Sequence, residues 1–379
     1  MKNLIFLIPF TFLVGCKTSS PTISKNINPV VQTKLEQLVQ SNNLTGLSFS
    51  IIYPNQRQEN YVSGFSNVEE KIPLNTNHVF FSGSIGKTYA AALLFQLIDD
   101  KKVDLSQKYK TYFPNLEWLS KVPNINDFTV GMLLEHTSGL PRYVLGNEIW
   151  EALHNDPDKV WTYKERMSYI FEKAPVHEAG KGWAYSDTNY ILIGMLVEKI
   201  LEAYYYDIVK SKILKPKKLK NTHPLDKRTI PNLAIGYSQL PASFQIPNKT
   251  VTNGKYVFNP QLEWTGGGMS STAGDLAHWA KIYFEGELFS KALLEKMTTI
   301  NPNGNKVMEG NSYGMGSFIY SLKSGKAYGH TGFMPGYNSI FAYLPEKKIA
   351  IALQSNCDYA GQKMKLTGYL EELIPLVTK

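Results

Sequence analysis

Three short stretches carry side chains that could do chemistry together. The first is Ser84-Ile85-Gly86-Lys87. Residues three apart on a helix share a face, so the lysine amine would reach the serine hydroxyl. A helix opening there would add free N–H groups and a positive end, both favourable to a developing anion. A Ser–Lys pair is one known way to activate a serine nucleophile, and a simple helix cap is the plainer reading. The second stretch is Tyr185-Ser186-Asp187, in WAYSDTNYILIG, just ahead of an apolar run. A tyrosine beside a lysine ammonium has its phenolate favoured and can serve as a general base. The plainer reading is a packed ring, with Ser186 or Asp187 capping the next helix. The third is His330-Thr331-Gly332, followed by Phe333-Met334-Pro335-Gly336-Tyr337. A strand ending in Thr-Gly can lay its backbone and a hydroxyl along a substrate without a bulky side chain in the way. The same residues also read as a turn.

Other chemistries find less support. Gly83-Ser84-Ile85-Gly86-Lys87-Thr88 ends like a phosphate-binding loop, but that loop needs four residues between its glycines. Only Ser84 and Ile85 separate Gly83 from Gly86, and Phe81 stands where the first glycine belongs. The seven histidines show no His-Glu-x-x-His spacing, and His136 is expected to be a satisfied core histidine. Two cysteines, Cys16 and Cys357, are too few for a disulfide scaffold or a Cys-rich zinc site. Neither a metal nor a cofactor is expected, and Cys357 reads as a small buried apolar residue. Lys and Arg number 40 against 32 Asp and Glu, a net charge of +8 that suits an anionic surface without choosing one. The one basic run, Lys210, Lys212, Lys215, Lys217, Lys218 and Lys220, lacks the interleaved aromatics of a single-strand nucleic-acid surface. It reads as a solvated face, or else as a contact for membrane or cell-wall anions. No nucleic-acid partner is expected.

The elements that must position these residues can be read from periodicity. Val30, Val31, Leu35, Leu38 and Val39 recur at helical spacing, predicting an amphipathic helix over 29–43. Gly46 to Tyr53 and Asn60 to Phe65 read as strands joined at Pro54-Asn55. Ser84 to Asp100 is apolar and rich in Ala and Leu, a buried helix opening just after Gly83. The pattern from 105 to about 300 is mostly helical, with long Pro/Gly loops. Strands return at Tyr313 to Ser321, Ala327 to Gly329, Tyr337 to Leu344 and Lys348 to Ser355, and a helix carrying Leu366, Leu370, Leu373 and Val377 closes the chain. The expected fold is therefore α/β (α+β): one sheet built from both ends of the chain, flanked by helices, with a mostly helical part inserted. The sheet part would occupy about 29–83 and 305–379, and the helical part about 84–304. The site would lie in the cleft between them. The molecule is expected to be a monomer.

The start of the chain reads as a targeting segment. Lys2 is followed by an apolar run from Leu4 to Val14, about half the ~20 residues a membrane span needs. Leu13-Val14-Gly15-Cys16 ends it with small residues before a cysteine, similar to a bacterial lipobox. Residues 1–15 would be a cleaved signal peptide, Cys16 the lipid-modified first mature residue, and 16–28 a polar tether. That would place the protein in the bacterial cell envelope, held at a membrane and facing the periplasm or the exterior, with peptidoglycan within reach.

Taken in order, the three stretches resemble the serine β-lactamase and penicillin-binding protein superfamily. The resemblance is to its class C β-lactamase-like branch, with D-alanyl-D-alanine carboxypeptidases, D-amino-acid peptidases and esterases. It extends through LLEHTSGLP at 133–141, GGGMSSTAGDLAHWA at 266–280, YGMG at 313–316 and YLPEKKIAIALQSN at 343–356. The likeness implies a β-lactamase/transpeptidase-like fold and a serine hydrolase that forms an acyl-enzyme. It implies Ser84 as nucleophile, Lys87 as its proton partner, and Tyr185 as base for acylation and deacylation. The backbone N–H groups of Ser84 and Phe333 would form the oxyanion hole, and Asp187, His330, Thr331 and Gly332 would bind the substrate. His330 replaces the lysine usual in the lactamases. Protonated, it would hold a substrate carboxylate and release it as pH rises from about 6 to about 8. Asp187 replaces the usual Asn, which removes an amide donor towards the substrate and favours a charged Lys87. The substrate implied is a small peptide, ester or β-lactam. A D-alanyl peptide stands first, an esterase or β-lactamase next, and a catalytically silent cell-wall peptide-binding protein is the competing class.

Overall fold

The computed structural model describes residues 21–24, 27–307, 310–359 and 366–378. The signal segment and Cys16 lie outside the described residues. A large sheet runs in the order β1-β3-β2-β14-β13-β12-β11-β10. Its N-terminal strands are β1 (Thr22–Ile23), β2 (Gly46–Ile52) and β3 (Arg57–Asn67), with β4 (Ile72–Pro73) attached to β3. Its C-terminal strands are β10 (Ser312–Tyr313), β11 (Phe318–Leu322), β12 (Gly325–Met334), β13 (Tyr337–Leu344) and β14 (Ile349–Ser355). The two ends of the chain meet where β2 pairs with β14, from Leu47↔Ser355 to Ile52↔Ala350. A smaller sheet joins β5 (Phe80–Phe81), β9 (Met269–Ser271) and β6 (Thr222–Pro224), and β7 (Val251–Thr252) pairs with β8 (Lys255–Tyr256).

Alternation along the strands builds two cores. Ile349, Ile351 and Leu353 of β14, with Leu47, Phe49 and Ile51 of β2, face the helices Pro29–Ser41 and Leu366–Val377. The opposite face carries Ala350 and Ala352 and joins the cluster that includes Leu276, Trp279 and Tyr283 of the helix Ala273–Phe284. Small residues on that face let a helix with large side chains lie close to the sheet. Each fully buried Leu or Ile contributes about 1.5–3 kcal/mol, so the two cores hold the platform rigid beneath the site.

Three expectations are corrected. The HTG stretch is no turn: β12 continues through it and pairs with β13 from Tyr328↔Tyr343 to Met334↔Tyr337. Cross-strand pairing overrides the weak strand preference of Gly329 and Gly332. The strand expected over 313–321 is broken by a bend at 315–317 into β10 and β11. The tether is not wholly outside the fold, because β1 adds in parallel to the edge of β3, with Thr22 N donating to Gln56 O at 2.8 Å and Ser24 N to Gln58 O at 2.7 Å.

Candidate active site

Ser84 sits in a short 3-10 turn, Gly83–Gly86, that runs into the helix Lys87–Asp99. Gly83 has φ +51, and a Cβ there would lie 2.4 Å from Phe333 N. Only glycine lets the turn press its backbone against β12. Gly332 is as tightly placed, since a Cβ on it would lie 1.8 Å from Ser82 O. The turn is thereby clamped to β12, with the backbone of Gly83, the residue before Ser84, against that of Phe333. β11 pairs with β12 only as far as Phe318↔Gly329, so from His330 to Met334 that edge of β12 has no strand partner among the described residues.

Lys87 is fully buried and spends its three protons in three directions. It donates to Ser84 Oγ at 3.1 Å, to Asp187 Oδ1 at 2.6 Å and to the Gly266 carbonyl at 2.5 Å. Burial opposes the ammonium, but Asp187, Tyr185 and Glu263 more than offset it, and the Lys87 pKa lies above its ordinary value. Lys87 is thus a charged donor to Ser84, with no lone pair free to take a proton.

Asp187 opens the helix Asp187–Leu201, where an acidic group is favoured by the helix dipole. It is buried between two cations: Oδ1 receives Lys87, and Oδ2 receives Arg142 through Nε and Nη2, each at 2.8 Å. Burial would raise its pKa, but the two cations hold it well below the usual carboxylate range. Asp187 is therefore a counter-ion with both carboxylate oxygens taken by cations, which leaves neither for the substrate contact expected of it. Ser186 forms no side-chain cap on this helix; its hydroxyl donates instead to Pro141 O at 3.0 Å.

Tyr185 stands at the centre of an aromatic cage. Its ring lies 4.3 Å from the His136 ring and stacks on Phe318 at 6.5 Å. Lys87 Nζ is 4.9 Å above it and the Arg142 guanidinium 5.4 Å away. Burial raises the Tyr185 pKa above its ordinary value, and the pull of Lys87 only partly offsets this. Lys87 favours the phenolate as expected, but burial outweighs it and the resting tyrosine keeps its proton. The hydroxyl is buried and directed at Ser84 and Lys87, whose side-chain interactions with it work against the effect of burial. His136 supports the cage as a core histidine, its Nδ1 meeting Ser186 N at 3.2 Å and Asn189 Nδ2 at 2.9 Å.

His330 departs most from expectation. It is fully buried under Phe318, Tyr313 and Tyr185. Nδ1 bonds the Thr331 carbonyl at 2.6 Å, which makes it the protonated nitrogen, and Nε2 accepts from Tyr313 Oη at 3.3 Å. Burial first, then Lys87, lowers its pKa to about 3. A ring neutral across pH 6–8 with both nitrogens occupied does not hold a substrate carboxylate. Thr331, Gly332 and the half-exposed Phe333 remain on the strand beside the turn. Cys357 is buried against Ser355 Oγ at 3.2 Å, as expected of a packing residue.

Two residues were missed by sequence reasoning, Arg142 and Glu263. Arg142 follows directly after LLEHTSGLP, and the acid at 187 was the signal that a cation must balance it. Glu263 precedes Gly266-Gly267-Gly268, and nothing in its local pattern marked it. Its half-buried carboxyl has a pKa raised to about 7, by burial first and then by Asp187.

A mixed sheet flanked by helices, with a serine and a lysine at the start of a buried helix and a tyrosine facing them, defines a β-lactamase-fold serine hydrolase. The chain belongs to the Beta-lactamase family, whose model matches residues 31–374. It is 25% identical over 312 residues to penicillin-binding protein 4* of Bacillus subtilis (strain 168), covering 77% of this chain and 64% of that protein. It is 23% identical over 353 residues to a beta-lactamase of Providencia stuartii, covering 85% of each. D-amino acid amidase from Ochrobactrum anthropi SV3, solved with L-phenylalanine amide, superposes with a TM-score of 0.78 at 25% identity, covering 92% of this chain and 98% of the amidase. No helix among the described residues is long and apolar enough to cross a membrane.

Proposed function

We propose that this chain hydrolyses amide or ester bonds through an acyl-enzyme on Ser84. The observation that carries the reading is the three-way contact of Lys87 with Ser84, Asp187 and Gly266, with the Tyr185 ring 4.9 Å from Lys87 Nζ and its hydroxyl directed at Ser84 and Lys87. Lys87, as an ammonium, holds Ser84 Oγ in place and stabilises the Tyr185 phenolate once it forms. The phenolate takes the Ser84 proton as Oγ attacks the substrate carbonyl carbon. The oxyanion is received by the N–H groups of Ser84 and Phe333, and Tyr185 passes the proton to the leaving amine or alcohol. Water then repeats the cycle with Tyr185 as its base. An extended acyl or peptide segment can lie along the unpaired edge of β12. A carboxypeptidase acting on D-alanyl ends is less well supported, because His330 offers no charge to a terminal carboxylate. Leu13-Val14-Gly15-Cys16 supports tethering in the cell envelope through a lipidated Cys16, with peptidoglycan or its peptides as neighbours.

Intact-mass analysis after a fluorophosphonate probe tests the nucleophile. The wild type should gain one adduct on Ser84, and Ser84→Ala should gain none. Tyr185→Phe should lower kcat on an activated ester by ~10²–10⁴, the usual contribution of a positioned base. Labelling elsewhere, or full activity in Ser84→Ala, would remove Ser84 as the nucleophile, and a wild type with neither label nor turnover would make the chain a binding protein on this fold.

A further inference from the structure

The lysine run ahead of β6 takes no part in the chemistry. From Tyr204 to His223, six lysines stand against one carboxylate, Asp207. Lys210 pairs with Asp207 at 3.5 Å, and Lys217 with Glu287 at 2.9 Å. The other four, Lys212, Lys215, Lys218 and Lys220, are exposed and have no ion-pair partner among the described residues. Four unpaired ammonium groups so close in the chain repel one another, and an anionic surface would relieve that repulsion.

Folding sets this run beside the strand where the described chain begins. Asn221 N, directly after Lys220, donates to Asp275 Oδ2 at 2.7 Å in the first turn of the helix Ala273–Phe284. The neighbouring Gly274 carbonyl accepts from Gln58 Nε2 at 3.0 Å. Gln58 lies on β3, directly opposite Ile23 of β1. The lysine run thus ends a short chain of contacts away from β1, and Cys16 stands six residues before Thr22. Around β1 the side chains are of another kind: Ile23, Ile27 and Val30 are exposed and apolar. A polyanion of the wall would supply charge to the lysines and nothing apolar to these three. The headgroup boundary of a bilayer supplies both.

We propose that this face, from β1 to the lysine run, docks on a bilayer that carries anionic phospholipid. The inference goes beyond the proposed tether at Cys16, which would fix where the protein is held and not how it lies. β12 stands five strands from β1 in the large sheet, about 24 Å at the usual strand spacing. Docking by the β1 edge would therefore hold Ser84, clamped against β12, away from the headgroups.

Vesicle co-sedimentation tests the surface without the lipid anchor. The full chain carrying Cys16→Ser is mixed with vesicles of phosphatidylcholine alone, or with about one-third phosphatidylglycerol. At ~0.1 M salt it should bind the anionic vesicles at least about tenfold more tightly, and near ~1 M salt the preference should vanish. Lys212→Gln, Lys215→Gln, Lys218→Gln and Lys220→Gln together should cost at least about tenfold in that binding. The same net change at Lys164, Lys173, Lys181 and Lys326, exposed lysines outside the run, should cost less than about threefold. Fluorophosphonate should label Ser84 in both variants at the rate of the parent chain, which checks that they are folded. No preference for anionic vesicles, or equal losses in the two variants, overturns the inference. Salt-sensitive binding to purified wall polymer with none to vesicles overturns it too, and makes that polymer the partner. None of these results bears on Ser84 as nucleophile, or on lipidation of Cys16, which labelled palmitate reports separately.

Discussion

Lys87 and Tyr185 both have pKa values above their ordinary positions, and the consequence for activity has a definite sign. The competent form needs Tyr185 deprotonated beside a charged Lys87, and it is a minor species at neutral pH. For a neutral ester, kcat/KM should climb towards about tenfold per pH unit between about pH 7 and 9, the behaviour of a single base that must lose a proton. A flat profile over that range would mean that Tyr185 is not the base. Because Asp187 is buried against Lys87 and Arg142, the three act as one electrostatic unit. Arg142→Met leaves an acid with one partner and should cut kcat at least tenfold. Asp187→Asn leaves two cations unbalanced over the Tyr185 ring. Combining the two should restore part of the loss, with a coupling of about 1–3 kcal/mol. Strictly additive effects in the double variant would show that Arg142 does not balance Asp187.

At the scale of elements, the site depends on one backbone-to-backbone clamp between the Gly83–Gly86 turn and β12. Backbone atoms cannot rotate away as a side chain can, so Gly332→Ala must push the strand off Ser82. A misplacement of about 1 Å at reacting groups can cost on the order of 10² in rate. Gly332→Ala should therefore remain folded, since β12 keeps its β13 partner, but lose at least that factor in kcat. Circular dichroism and ester turnover measured on one sample check this. A folded variant with wild-type kcat would remove Phe333 N from the oxyanion site.

On the scale of the whole molecule, β1 brings the chain's described beginning onto the edge of the large sheet. Six residue steps separate Cys16 from Thr22, which span at most ~22 Å at full extension. A lipid on Cys16 would hold the catalytic body close to the bilayer surface, within reach of wall components and of little else. Expressed in a bacterium that processes lipoproteins, the protein should fractionate with membranes and incorporate labelled palmitate. Cys16→Ser should lose both and keep its hydrolase activity, because the anchor point precedes β1. A wild type that stays soluble and unlabelled would remove the anchor from this account and leave the enzyme untouched.

Much of this was legible in the sequence because it is local. Ser84, Lys87 and Tyr185 stand in short ordered motifs, and the two helices they open follow from periodicity. Joining the two chain ends in one sheet was also accessible, since apolar alternation returned after residue 310. What only the tertiary structure decided depends on groups far apart in sequence. The protonation of Tyr185 and His330 is set by burial under Phe318 and Tyr313, which no local pattern reports. The strand through His330 exists because β13 pairs with it from Tyr328 to Met334. Arg142 and Glu263 matter only because folding carries both of them close to Asp187, 45 and 76 positions away in the chain. Charge type and local period are written residue by residue. Desolvation and close approach belong to the packed chain, and they determine which of those charges exist and what each is free to bind.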